Sequence, residues 1–326
     1  MLMLNRRTVL ASGAAGVALA APAATLASTV RADGTPGLSG PYVDLATPEG
    51  NVNAWARING SIDPAVTSYS WYSGRVTGMR PGEAARDLMR VIGMGAVRLL
   101  PLEEGKGYQM LRKELGFFVD LETGAVLDRW QNPYNAETVE VVHIANPAIN
   151  ARIEAFARKQ GLYETVDDPK GWPPFILPWT LIRDRAVTEQ HVHLWAKNPL
   201  DPAIWVRESS GANIAISDSN TYNISLADLQ NPGLKKIPSI GNWTHSRPWQ
   251  PWMLMGQAPG SIQYNCITAS SDQLEDLPLQ IVELARTRFP DFLEAPRTVT
   301  RAESSLARYM RTRKPAPPIA VPDNQP

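Results

Sequence analysis

Val187-Thr188-Glu189-Gln190-His191-Val192-His193-Leu194-Trp195-Ala196 decides the fold class. In an extended chain successive side chains point to opposite faces, so Val187, Glu189, His191, His193 and Trp195 share one face. Val192 and Leu194 take the other. Thr188 and Gln190 fit a mixed outer face less well, so which face is inner stays open. A helix would scatter these residues around its axis, so the segment reads as a strand.

The same pattern recurs on both sides. Thr67–Val76, Met110–Asp120, Thr138–Ala145, Ile204–Glu208, Ile214–Ser217, Tyr222–Leu226 and Ser261–Ala269 are rich in β-formers. Glu83–Val97 reads as strand after Arg86. Turn chemistry separates these runs, as at Asn132-Pro133, Asn198-Pro199 and Asn231-Pro232-Gly233. Asp120-Leu121-Glu122-Thr123-Gly124 predicts a hairpin joining Leu115–Val119 to Ala125–Trp130, with Gly124 at a left-handed position. Helices are expected at Pro147–Lys159, Leu277–Phe289 and Ala302–Arg313. Many short strands at close spacing predict a mainly β chain, an antiparallel β-barrel or sandwich of lipocalin-like character with two or three peripheral helices.

The first 32 residues read differently. Asn5-Arg6-Arg7-Thr8-Val9-Leu10 precedes an Ala/Gly-rich run to Ala27, with small residues before cleavage points after Ala27 or Ala32. This is the pattern of a twin-arginine export signal, and it predicts a periplasmic or otherwise exported protein and passage through the twin-arginine machinery. A membrane anchor would need about 20 strongly apolar residues. This run is weakly apolar and broken by Pro22, so no stable span is expected in the mature form. Residues 33–314 then form one β-rich domain, and the Pro-rich stretch 315–326 a disordered tail.

Lys plus Arg equals Asp plus Glu, at 32 each, so no positive field favours nucleic acid as a partner. Cys266, the sole cysteine, excludes an internal disulfide and a Cys-x-x-Cys zinc site, and reads as a buried small residue. No Gly-x-Ser-x-Gly, phosphate loop, dinucleotide fingerprint or c-type haem motif occurs.

The candidate chemistry lies in histidine and tryptophan. Imidazoles at His191 and His193 lie about 7 Å apart along a strand. They suit either an acid–base pair with Glu189, a divalent metal chelate completed by Glu189, His143 or His245, or a surface pair. His143, in Val141-Val142-His143-Ile144, is a further candidate base. Trp243, Trp249 and Trp252, framed by Pro248 and Pro251, and Trp172–Trp179 predict rigid walls for a small apolar or aromatic molecule, with Trp195 beside the histidines. The expectation is an enzyme of lyase or isomerase type using His143, Glu189, His191 and His193, with no cofactor required. A non-catalytic periplasmic ligand-binding β-barrel and a His191/His193 metalloenzyme are the alternatives.

Two stretches carry a resemblance. Gly116-Phe117-Phe118-Val119-Asp120 runs on through Asp128-Arg129-Trp130-Gln131-Asn132-Pro133 to His143 and Asn146. The second is Trp243-Thr244-His245-Ser246-Arg247-Pro248-Trp249-Gln250-Pro251-Trp252-Met253-Leu254-Met255-Gly256. Together they resemble the bacterial family known as domain of unknown function 1838, whose members often carry twin-arginine leaders. The likeness spans about Trp55 to Pro296 and implies a mostly β fold without a settled activity. Asn135-Ala136 stands where the family pattern leads one to expect a Thr-Gly turn.

Overall fold

The structure, a computed structural model, describes residues 37–155, 160–161, 164–165 and 174–318. The leader, Trp172 and the last residues of the tail lie outside them.

The described chain holds thirteen strands: β1 (Ser68–Met79), β2 (Arg86–Pro101), β3 (Gly107–Val119), β4 (Arg129–Gln131), β5 (Thr138–Glu140), β6 (Ile144–Glu154), β7 (Gln160–Gly161), β8 (Glu164–Thr165), β9 (Trp179–Ile182), β10 (Arg185–Lys197), β11 (Asn213–Ser225), β12 (Ser239–Arg247) and β13 (Ser261–Ser271). Its four α-helices are α1 (Pro48–Asn59), α2 (Leu226–Leu229), α3 (Leu279–Arg288) and α4 (Ser305–Thr312). Nine strands form one antiparallel sheet in the order β6-β3-β2-β1-β13-β12-β11-β10-β9, curled into a half-barrel. Two meanders meet where β1 pairs with β13. The fold is mainly β, as the alternation requires.

The curl gives the sheet an inner and an outer face. Tyr72, Val91, Phe118, Tyr264 and Cys266 point inward and share one core. Phe118 and Tyr264 stand three strands apart in the sheet, yet their rings lie 6.3 Å apart. Tyr69, Ile92, Met94, Leu115 and Phe117 point outward and pack beneath Ile281, Val282 and Ala285 of α3 and the following turn with Phe292. That half is therefore covered on both faces.

Each end of the interior is closed differently. At one end α1 packs Trp55 and Ile58 against Val97, Leu99, Ile153 and Ile224. Arg57 of α1 is fully buried and donates to the carbonyls of Asp228, Leu229, Asn231 and Leu234. At the other end Trp130, Trp205, Trp249, Trp252 and Tyr309 make an aromatic plug.

Sequence and structure part in several places. The helix expected at Pro147–Lys159 is a strand to Glu154, with residues 156–159 outside the described set. Its proline sits at a register shift where Arg112 and Glu114 face Ile149 and Asn146. An edge strand tolerates proline at such a bulge because no ladder bond needs its missing N–H. Ile204–Glu208 is a pair of turns, begun by the Asp201 carboxylate accepting from the Ala203 N–H. Thr138–Ala145 is broken at residues 141–143. α1 is an addition: Thr47 caps it through the Gly50 N–H, with Pro48 at its first turn.

The Asp120–Gly124 turn forms, with Gly124 at φ +67° and the Asp120 carboxylate accepting from the Glu122 and Thr123 N–H groups. Only Arg129–Gln131 of the returning segment is strand, although Val126 bridges Val119. In the Asn132–Glu137 turn Ala136 takes φ +60°, a left-handed conformation that a glycine would occupy without strain.

Candidate functional site

β10 pairs with β11 through His191↔Ser219 and Val192↔Asp218, and the curl turns the even-numbered residues inward. Thr188 is buried, and Gln190, Val192 and Leu194 are half-buried. Glu189, His191, His193 and Trp195 therefore stand on the outer face, where Trp195 is 76% exposed. His191 and His193 stack with centroids 6.1 Å apart and parallel rings. Their Nδ1 atoms meet the hydroxyls of Ser219 and Ser217 at 3.0 and 2.9 Å, and His191 Nε2 lies 3.4 Å from Glu189. They are gathered as a row, but outside the half-barrel rather than in an internal pocket.

His143 sits elsewhere, just before β6. Its Nδ1 accepts from the Phe118 N–H at 3.2 Å, and its ring packs against Phe117 and Phe118. Burial, reinforced by the Arg288 charge and only partly opposed by Asp128, lowers its pKa from 6.5 to about 4. Nε2 is buried without a hydrogen-bond partner among the described residues, with Asp128 3.9 Å away. The sheet order sets six strands between β6 and β10, so His143 does not join the β10 pair through the sheet.

Besides Trp195 on the outer face, the predicted tryptophans divide into three places. Trp179, on β9, donates to Asn51 at 2.7 Å beside α1. Trp249 and Trp252 are buried in the plug, Trp249 donating to the Ala258 carbonyl. Trp249 borders a cavity of about 10 Å³, with Glu208 and Arg247. That is room for about one water molecule, not for a substrate. Trp179, paired with the inward Thr188, closes its end of the inner face against α1, while Trp243 stands on the half-open inner wall beside β11.

At Trp243 the structure assembles a site whose parts lie in ordinary alternating strands. On β12, Trp243, His245 and Arg247 point inward, and β11 presents Asp218 opposite His245. His245 Nδ1 and Trp243 Nε1 each lie 2.8 Å from the same oxygen, Asp218 Oδ1. Burial pushes the Asp218 carboxyl up. Hydrogen bonds from His245 and Trp243 and the charges of His245 and Arg247 outweigh it, so its pKa lies below the ordinary value. An ionised carboxylate only accepts, so His245 Nδ1 carries a proton and Nε2 is the ring nitrogen left to exchange one. Tyr264 crosses His245 edge-on at 5.3 Å, and Tyr72 crosses Trp243 at 5.1 Å.

The dyad is neither sealed nor superficial, with His245 and Asp218 side chains 14% and 18% exposed. Around it Gln190, Val192, Ile216, Asn220 and Tyr222 are all half-buried, so the inner face of β10–β12 is the accessible wall of the half-barrel. Glycines shape the facing wall. Gly93 and Gly116 pair across β2 and β3, and a Cβ on either would overlap the Tyr72 hydroxyl. Tyr72 lies in the space they leave, donating to the Leu115 carbonyl at 3.1 Å.

In the sequence alone His245 is a possible metal ligand only, and Asp218 carries no mark of its own. The available signal was the alternation Trp243, His245, Arg247 in one strand and Ile216, Asp218, Asn220 in another. Their pairing is long-range and invisible in either strand alone. Among the described residues no three His, Cys, Asp or Glu side chains gather as a set able to hold a metal ion. Cys266, buried inward beside Trp243 in the register, has its thiol pushed up to about 12 by burial. No described helix is long and apolar enough to cross a membrane.

Among curated proteins none matches this chain. The family described as "Protein of unknown function (DUF1838)" matches residues 65–313, from just before β1 to just past α4. That span takes in the whole nine-stranded sheet, both halves of the His245–Asp218 pair and the aromatic plug, so the chain belongs to the DUF1838 family.

Proposed function

We propose that this protein is an exported small-molecule enzyme of lyase or isomerase type, in which His245 removes a proton from an aromatic substrate. The observation that carries the reading is the 2.8 Å contact between His245 Nδ1 and Asp218 Oδ1 on the accessible inner wall. The carboxylate fixes the ring tautomer and stabilises the imidazolium that forms when Nε2 takes up a proton. A positioned base of this kind contributes on the order of 10²–10⁴ in rate. Trp243, half-buried on that wall, supplies flat apolar surface for a planar substrate, is backed by the buried rings of Tyr264 and Tyr72, and also shares the Asp218 oxygen. The outward row of Glu189, His191 and His193 takes no part.

Deuterium wash-in tests the base through the proton-removal step alone. The mature protein is incubated in D₂O with a panel of aromatic compounds bearing acidic C–H bonds, and exchange is followed by proton NMR. His245→Gln is expected to slow exchange by about 10²–10⁴, and Asp218→Asn to slow it by less. Equal exchange by wild type and His245→Gln refutes the base. Aromatic binding without any exchange points to a carrier instead.

The Arg6-Arg7 leader supports export. Mass spectrometry of protein recovered from its native host is expected to find the chain starting at Ser28 or Asp33. A chain retaining Arg6-Arg7 in the cytoplasm contradicts export.

A further inference from the structure

We infer that Arg112 is the anchor for a carboxylate, so that the substrate of the His245 site is an aromatic monocarboxylate. The inference rests on the proposed function for the word substrate, but the anchor itself stands on separate observations.

Arg112 lies on β3, on the same inward face as Glu114 and opposite Val97. Its guanidinium lies over Gly95, where a Cβ would come within 2.9 Å of Arg112 Nε and 3.0 Å of Ser70 Oγ. Among the described residues it donates no hydrogen bond. The nearest acid, Glu114 Oε1, is 3.7 Å from Nη2, and Glu114 Oε2 already accepts from Asn146 at 2.8 Å. Arg112 Nε and Ser70 Oγ are both buried and unpartnered. Leaving such donors unpaired is costly in a folded interior, and an incoming anion removes the cost.

The placement is across from the proposed base. Tyr222, on β11 in the opposite half of the sheet, packs in the same core cluster as Val97, the cross-strand neighbour of Arg112, and both the Arg112 and the Asp218 charges act on it. It thus connects the Arg112 end of the interior to the strand that carries Asp218, and its hydroxyl has no hydrogen-bond partner among the described residues. Asp218 and Tyr222 are four residues apart along β11, roughly 13 Å by strand rise. Asn220 lies between them with Trp243 as its cross-strand neighbour. A molecule with its carboxylate on Arg112 then lays its rings over Asn220 and Trp243 and presents its far end to His245.

The donor set selects the anion. A guanidinium offers two parallel N–H groups that match a carboxylate. One arginine that already faces Glu114 offers hydrogen-bond donors rather than surplus positive charge, which disfavours a phosphate dianion.

Binding of 2-naphthoate and its neutral isostere 2-naphthamide to the full mature protein, read by calorimetry, tests the anchor. Wild type is expected to prefer 2-naphthoate. Arg112→Met should weaken 2-naphthoate about 10- to 100-fold and leave 2-naphthamide unchanged, which also shows that the variant is folded. Arg112→Lys should recover part of the loss. Equal binding of the two probes, no binding of 2-naphthoate at millimolar concentration, an unchanged Arg112→Met, or displacement by equimolar inorganic phosphate overturns the inference. The two readings separate cleanly. If His245→Gln binds 2-naphthoate normally yet exchanges deuterium at the wild-type rate, the anchor stands and the base falls. If the isostere binds equally while exchange still depends on His245, the base stands and the anchor falls.

Discussion

Acidification should destabilise this protein through one histidine. His143 is 10% exposed, wedged against Phe117 and Phe118, and stays neutral down to about pH 4. In the unfolded chain its value is 6.5. Between those limits the unfolded state binds one more proton than the folded state, so stability is full above pH 6.5 and falls as the pH drops. The slope is about 1.4 kcal/mol per pH unit, and the accumulated loss at pH 4.5 is roughly 2.4 kcal/mol. Asp128 and Arg288 are the charged groups facing the ring. Both remain in His143→Asn, whose amide oxygen can still accept from the Phe118 N–H. Urea unfolding at pH 7.5, 6.0, 5.0 and 4.5 measures the difference. The variant should lose about 2 kcal/mol less than wild type over that interval. Parallel profiles for the two proteins would refute the assignment of a buried neutral imidazole.

Other substitutions test the frame. Arg57→Met leaves four carbonyls without their donor and should cost about 3–5 kcal/mol by urea unfolding; a loss under 1 kcal/mol contradicts the burial of that guanidinium. Ala136→Gly relieves a left-handed alanine and should stabilise by about 0.5–1 kcal/mol after the extra unfolded-state entropy is counted. A destabilised glycine variant would show that the φ of +60° is not adopted. With its thiol pushed up to about 12, Cys266 should resist iodoacetamide at pH 8 in the folded protein and react in urea. Rapid labelling of the native protein would contradict its burial.

The strands and turns were legible because they are local. Alternation over Val187–Ala196 and Ser261–Ala269, and Gly124 in its turn, express backbone geometry that a few residues determine by themselves. Where a short pattern had two meanings, context decided. Asn146-Pro147 begins a helix as readily as it bulges an edge strand, and only the pairing of β6 with β3 selects the bulge. Ile204–Glu208 has strand composition, yet the Asp201 turn that precedes it winds it up.

By itself, then, the sequence determined a mainly antiparallel β chain, a lone cysteine without a disulfide partner, and the motifs that match the family. Period two divides each strand into two faces but carries no label for inside. That label belongs to the tertiary structure. It comes from the curl of nine strands and from α1, α3 and the tryptophan plug, which cover some surfaces and leave others open. The curl turned His191 and His193 out to solvent and His245 in. It also brought Asp218, 27 residues earlier in the chain, within 2.8 Å of His245. A site formed across two strands depends on register and curvature together, and both are properties of the assembled sheet.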